Sequence, residues 1–323
     1  MSIPVIDISP FWKGDKSAMA ESAKAIHKAC LDHGFFYIEN HGVSESLQTE
    51  LERLSHAFFA LPESEKLKIR MELGGSAWRG YFPVGGELTS GKPDQKEGIY
   101  FGTELDAAHP KVKAKVPLHG QNLFPEQPTK LKNTVLDYMK EVTELGKLVV
   151  RAVALSLGLP TDYFESTITK DPFILFRIFH YPAQNASKNW GVGEHTDYGL
   201  LTILKQDGNG GLQVRSKGDW IDAPPIDNTF VCNIGDMLDR MTGGLYKSTP
   251  HRVKNTSGKN RLSFPLFFDP SFATEVKPIP GRAVSTDFSD RWDAQDVYQF
   301  DGVYGDYLIR KVSRVFPQLF NKI

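Results

Sequence analysis

Apolar and polar positions follow two regimes along this chain, and the change comes at Pro172. Before it the period is mostly helical. The stretch "AESAKAIHKACLDHG" predicts an amphipathic helix that stops at Gly34. "FFYIENHG" predicts a strand that closes in an Asn-His-Gly turn. Leu47, Leu51, Leu54 and Phe58 recur at helical spacing, and Pro62 ends that run. Leu131, Val135, Tyr138, Val142, Leu145, Val149 and Val153 trace one face of a long helix between Thr129 and Leu157, which "SLGLP" stops. Residues 74–93, rich in glycine and aromatics, show no clean period and predict a long structured loop with short strands.

Beyond Pro172 the runs shorten and become β-rich: "FILFRIFHY", "LLTILK", "GLQVR", "DWIDA", "TFVCNI", "HRVK" and "RLSFPLFF", parted by glycine, asparagine and proline turns. Many short strands at this spacing predict a sandwich or barrel, with a jelly roll among the few solutions of that size. "VYGDYLIRKVSRVF" predicts a closing helix. The expected architecture is mainly β with flanking helices. A mixed helix/strand N-terminal part (1–120) precedes 121–323, which holds a long support helix, a barrel core at about 172–270 and the C-terminal helix.

Charge and cysteine usage narrow the function classes. Over 323 residues the formal net charge is −1, so no global field gathers nucleic acid or anionic membrane. "KVKAK" at 111–115 is short and reads as a solvated loop. Cys30 and Cys232 lie far apart in apolar surroundings, which fits buried free thiols in a reducing compartment rather than a zinc site or disulfide. The opening "MSIPVIDISPF" lacks a signal-peptide pattern, and no stretch reaches the roughly 18–20 apolar residues of a membrane span. A cytoplasmic protein is expected, and nothing demands more than a monomer.

The chemistry concentrates in two segments, "GVGEHTDYGLLTIL" and "STPHRVKNTSGKNRLSF". His195 and Asp197 stand at i and i+2, a spacing that puts both side chains on one face at the start of a strand. His251 follows in "PHRVK". Two imidazoles and one carboxylate on one face of a metal make the facial triad of non-haem Fe(II) oxygenases, which leaves adjacent positions open for a chelating cosubstrate and dioxygen. Arg261 and Ser263 share a strand face, and a guanidinium fork beside a hydroxyl suits the far end of a dicarboxylate. Arg177, four residues before Tyr181, shares a face with it, and either meets a substrate carboxylate or forms a structural salt bridge. Alternation turns His180 the other way. His33 and His41 read as turn residues, and His27, His56, His109 and His119 as solvent or helix-surface ones. Asp236 and Met237 shape a barrel turn. Trp78, Tyr81 and Phe82 either line a pocket or simply pack.

In order along the chain, "IPVIDISPF", "CLDHGFFYIENHGV", "RGYFPVGGELTSGKPDQKE", "HTD", "NIGDML", "STPHRVKN" and "RLSFPLFFDP" resemble the isopenicillin N synthase-like 2-oxoglutarate/Fe(II) dioxygenases over nearly the whole length. The resemblance implies a double-stranded β-helix, His195, Asp197 and His251 as iron ligands, and Arg261 and Ser263 on the distal carboxylate of 2-oxoglutarate. It places Tyr181 where many members set a tyrosine hydroxyl on that cosubstrate. Phe179 departs from the asparagine common in plant members, and the presence of Asp197 argues against halogenation. The implied reaction consumes 2-oxoglutarate and O2, releases succinate and CO2, and oxidises a small organic molecule, most often by hydroxylation. Two alternatives stand beside it: an Fe(II) oxidase or cyclase of the isopenicillin N synthase type that takes no 2-oxoglutarate, and a metal- or ligand-binding barrel without turnover.

Overall fold

The computed structural model describes residues 2–183, 190–282 and 297–316. Its helices are α1 (Ser9–Lys13), α2 (Lys16–Asp32), α3 (Glu45–Phe59), α4 (Glu63–Lys66), α5 (Pro110–Lys113), α6 (Leu131–Ser156), α7 (Tyr163–Thr167), α8 (Asp236–Met241) and α9 (Tyr304–Val315). Its strands are β1 (Val5–Asp7), β2 (Phe35–Glu39), β3 (Gly80–Phe82), β4 (Leu88–Thr89), β5 (Lys92–Pro93), β6 (Glu97–Gly102) and β7 (Phe173–Tyr181). They continue with β8 (Val192–His195), β9 (Leu201–Gln206), β10 (Leu212–Ser216), β11 (Asp219–Asp222), β12 (Phe230–Ile234), β13 (His251–Val253) and β14 (Arg261–Asp269).

Among the described residues the strands form a large sheet, in the order β1-β2-β12-β9-β14-β7-β6-β3, and a small one, β11-β10-β13-β8. The two sheets are the walls of a jelly roll, a double-stranded β-helix carrying helices on the outside of the large sheet. Period-2 alternation decides what each wall shows to either side. On β14, Arg261, Ser263, Pro265, Phe267 and Asp269 face a central cavity, whereas Leu262, Phe264, Leu266 and Phe268 join the main apolar core. On β7, Leu175, Arg177, Phe179 and Tyr181 face the cavity and Ile174, Phe176 and Ile178 the core.

The long helix α6 supports the large sheet from behind. Its 3.6-residue apolar stripe buries Leu131, Val135, Tyr138, Val142, Leu145, Val149 and Val153. Burying each large apolar side chain contributes about 1.5–3 kcal/mol, which is what holds a 26-residue helix against the sheet. Contact is close at Gly146, where a Cβ would lie 2.4 Å from Phe268 Cδ2. Upstream, α2 starts where the Asp15 side chain accepts from the N–H groups of Ser17 and Ala18.

Several details depart from the sequence-based expectations. "KVKAK" is not a plain loop: its first three residues belong to the one-turn helix α5, and Lys111 pairs with Asp171 at 2.7 Å. His119 is buried against Phe173 and Phe272, and His27 is half-buried with Nδ1 2.6 Å from the Tyr246 hydroxyl, so neither is a surface residue. Trp78, Tyr81 and Phe82 sit in the core rather than on the cavity, which selects packing for that aromatic cluster. His180 turns outward from the cavity, stacking on Phe59 and meeting Glu97 at 2.8 Å. Both cysteines are buried and free. No helix among the described residues is long and apolar enough to cross a membrane.

Candidate metal and cosubstrate site

Strands β8 and β13 pair antiparallel with His195 directly opposite His251, and the two rings lie 4.2 Å apart between centroids. Asp197 arrives differently from the expectation. His195 ends its strand rather than starting one, and Asp197 lies in the turn beyond it, so strand alternation does not aim the pair. The turn is shaped by backbone bonds instead: the carbonyls of Asp197, Gly199 and Leu200 accept from Asp236, Met237 and Gly235 at 2.8, 2.9 and 3.1 Å.

The result is one convergent cluster. Asp197 Oδ1 lies 3.9 Å from His195 Nε2 and 3.7 Å from His251 Nε2, and one ligand atom from each residue falls within 4.8 Å of the others. On each imidazole Nδ1 faces a backbone carbonyl, Gly193 at 2.9 Å and Thr249 at 3.2 Å. A proton on Nδ1 satisfies that contact and leaves the Nε2 lone pair directed at the common centre. Burial, joined by the neighbouring His195, brings the His251 pKa down to about 4, so its ring is neutral near pH 7. Burial alone would push Asp197 up; the two histidines and the hydrogen bonds of Asn233 and Thr202 outweigh it and hold the carboxyl below its ordinary range.

Those two hydrogen bonds use the other carboxylate oxygen. Thr202 Oγ1 and Asn233 Nδ2 donate to Asp197 Oδ2 at 2.5 and 2.7 Å, so Oδ1 alone is turned to the histidines. Neither residue was singled out from the sequence. The available signal was a lone polar residue inside an apolar strand, Thr202 in "LLTILK" and Asn233 in "TFVCNI". With two imidazole nitrogens and one monodentate carboxylate oxygen on one side of the cavity, the donor set fits a divalent iron with open positions opposite.

Arg261 faces the same cavity from β14 and is 0% exposed. Its Nε donates to the Asn209 carbonyl and one terminal nitrogen to Gln206 Oε1, each at 3.2 Å, while Nη1 is buried without a partner. No carboxylate of the described residues pairs with it. A guanidinium is costly to bury with neutral partners and an orphan N–H, and this corner is chemically suited to an anion. Ser263 lies two residues on along the same face, and the Tyr181 ring stands 4.9 Å from the guanidinium carbon. The distal carboxylate of a keto diacid fits this corner.

The cavity has a volume of about 400 Å³ and a second charged wall. Arg177 donates to the carbonyls of Phe101 and Phe176 at 2.9 and 3.0 Å and stacks 3.4 Å from the Tyr100 ring centroid, with no carboxylate of the described residues paired to it. Glu87 and Asp269 act on the guanidinium electrostatically without forming a close ion pair with it. Nearby, Lys96 lies 2.9 Å from Glu87 and 2.5 Å from Asp94. Burial would lower the ammonium pKa, but the two carboxylates overcome it and raise it. Residues 87–91 close one end, and Tyr304, Leu308 and Lys311 of α9 form another side. The contribution of α9 was not legible in the sequence, since an amphipathic helix does not announce what it covers.

Comparisons with known proteins agree with this geometry. Residues 3–127 match the family described as non-haem dioxygenase in morphine synthesis N-terminal, and residues 172–270 match the 2OG-Fe(II) oxygenase superfamily. The chain is 43% identical to a 1-aminocyclopropane-1-carboxylate oxidase of Dictyostelium discoideum, across 99% of this chain and 96% of the relative. It is 39% identical to a homoarginine-6-hydroxylase of Arabidopsis thaliana, across 98% and 90%. The crystal structure of a full-length Neurospora crassa protein in complex with alpha-KG and thymine superposes with a TM-score of 0.80 at 31% identity, covering 96% of each chain. A jelly roll with a convergent His-Asp-His cluster, matched end to end by such relatives, places this chain in the 2-oxoglutarate/Fe(II) oxygenase superfamily as a 2-oxoglutarate-dependent non-haem iron oxidoreductase.

Proposed function

We propose that this enzyme hydroxylates a small amino acid or similar carboxylic acid, with His195, Asp197 and His251 holding Fe(II) and Arg261, Ser263 and Tyr181 holding 2-oxoglutarate. The observation that carries the substrate reading is the buried Arg177, a second guanidinium on the cavity with no close ion pair among the described residues. Each guanidinium offers N–H donors that a carboxylate can take up, one from the cosubstrate and one from the substrate, although Glu87 and Asp269 already act on Arg177 at longer range. Amino-acid substrates named for two of the relatives, 1-aminocyclopropane-1-carboxylate and homoarginine, support the same class.

Bound iron supplies the redox chemistry that couples decarboxylation of 2-oxoglutarate to substrate oxidation by O2. The chain's own part is orientation and exclusion. Arg261 and Ser263 fix the cosubstrate's far end, so that its keto-acid end reaches the three ligands. Arg177 orients the substrate by its carboxylate, while Leu175 and Phe179, its neighbours on the same face of β7, keep that side apolar. The free buried cysteines agree with a reducing cytoplasm.

The oxidase alternative keeps a foothold in the similarity to 1-aminocyclopropane-1-carboxylate oxidase. A succinate assay across a panel of amino acids and their amides separates the readings. Succinate released in step with substrate loss, with acids accepted and amides refused, is the expected result. Substrate oxidation without succinate would sink the 2-oxoglutarate assignment, and equal use of the amides would remove Arg177 from substrate recognition.

A further inference from the structure

The turn that carries Asp197 is held on two sides by buried aspartates, Asp269 through its carboxylate and Asp236 through its backbone N–H, and both also hold the C-terminal helix. Asp269 Oδ1 accepts from the N–H of Leu200 at 3.1 Å, and its Oδ2 from the Tyr304 hydroxyl at 2.5 Å. Asp236 gives its own N–H to the Asp197 carbonyl at 2.8 Å, while its Oδ2 accepts from the Tyr307 hydroxyl at 2.7 Å. Lys311 stands 3.6 Å from the same oxygen. Tyr304 and Tyr307 are one helical turn apart on α9, so a single face of that helix grips both carboxylates. The fit leaves no slack: a Cβ on Gly199 would fall 1.5 Å from Asp269 Oδ1.

We propose that Tyr304 and Tyr307 are positioning residues for Asp197, tying the docking of α9, through Asp269 and Asp236, to the shape of the metal-binding turn. The inference rests on His195, Asp197 and His251 being the metal ligands. Its physical basis is that both tyrosine hydroxyls end on carboxylates of residues that also bond the backbone of residues 197–200. Removing either hydroxyl takes a donor from a buried carboxylate whose residue also bonds the turn, and the least costly relief is movement of the turn. A helix that also walls the substrate cavity would then be felt at the metal. Substrate pressing on α9 and metal bound by Asp197 would share one rigid element.

The test is anaerobic titration of the apo protein with Fe(II), read by calorimetry. The proteins are the wild type, Tyr304→Phe, Tyr307→Phe and the double variant, with Ile309→Ala as a packing control on the same helix and His251→Ala as a ligand control. Circular dichroism verifies the fold of each, and hydrogen exchange follows the Leu200 amide. The expected result is Fe(II) affinity lower by roughly 10- to 100-fold in the Tyr→Phe variants, with faster exchange at Leu200 and little change in Ile309→Ala. Wild-type affinity in the folded double variant would overturn the proposal while leaving the metal site intact. An equal loss in Ile309→Ala would also overturn it, since packing rather than the hydroxyls would then be responsible. If His251→Ala bound Fe(II) as tightly as the wild type, the metal-site reading itself would fail.

Discussion

Asn233 donates to Asp197 Oδ2 over 2.7 Å, and together with the Thr202 hydroxyl on the same oxygen it turns Oδ1 to His195 and His251. The contact joins β12 of the large sheet to the turn after β8 of the small one. It therefore exists only when the two walls of the jelly roll have closed.

Replacing Asn233 with Ala should free the carboxylate to rotate and leave Thr202 as its one side-chain donor. Fe(II) affinity should fall on the order of 10- to 100-fold, as is typical when the support of a ligand is removed. Anaerobic Fe(II) titration reads this directly, and unchanged affinity would mean that Thr202 and the turn suffice.

At the other end of the cavity, Arg261→Ala should weaken 2-oxoglutarate binding by roughly 10- to 100-fold, in keeping with about 1.5–3 kcal/mol for a hydrogen bond to a charged group. Arg261→Lys should recover only part of it, because an ammonium cannot offer the planar fork. Cosubstrate titration in the presence of Fe(II) is the measurement, and intact affinity in Arg261→Ala would show that the buried guanidinium serves another anion.

Arg177→Gln should raise the KM of a carboxylate substrate while leaving 2-oxoglutarate affinity in place. Succinate release without primary substrate should stay near the wild-type rate. A parallel loss of cosubstrate binding would place Arg177 on the keto acid instead.

Acid stability should depend on Glu97. Its carboxylate meets His180 at 2.8 Å, Lys66 at 2.7 Å and the Tyr81 hydroxyl at 2.5 Å, well inside the protein. Burial raises its pKa, but these three partners outweigh it and hold it below the ordinary 4.5. A lowered folded-state pKa means that the stabilisation is complete above 4.5 and drains away as pH falls through the folded value. Glu97→Gln should lose that acid dependence. It should also destabilise the fold at neutral pH by about 3–5 kcal/mol, because Lys66 is left buried without its partner. Urea unfolding at several pH values checks both, and an unchanged acid slope would assign the acid sensitivity to other carboxylates.

Local patterns in the chain already determine most of the elements. The seven apolar positions of α6 repeat at the helical period wherever they are read, and the alternation in "FILFRIFHY" and "RLSFPLFF" separates Arg177 and Tyr181 from His180 before any fold is known. That works because the period of an element belongs to its own backbone. The ordered motifs likewise named His195, Asp197, His251 and Arg261, since few chemistries need two imidazoles, a carboxylate and a guanidinium in that sequence.

Everything that depends on two distant segments meeting waited for the tertiary structure. Asp197 is aimed by a turn bonded to α8 rather than by the strand pleat, and one of the two donors that select its free oxygen is Asn233, thirty-six residues away in the chain. Trp78 and Tyr81 went to the core and Glu87 to the cavity, although all three stand in the same glycine-rich stretch. The grip of Tyr304 and Tyr307 on Asp269 and Asp236 has no local signature at all. A side chain's residue type limits what it can bond, but its partner is set by which walls the packed sheets and helices bring within reach, and hydrogen-bond distances are settled only there.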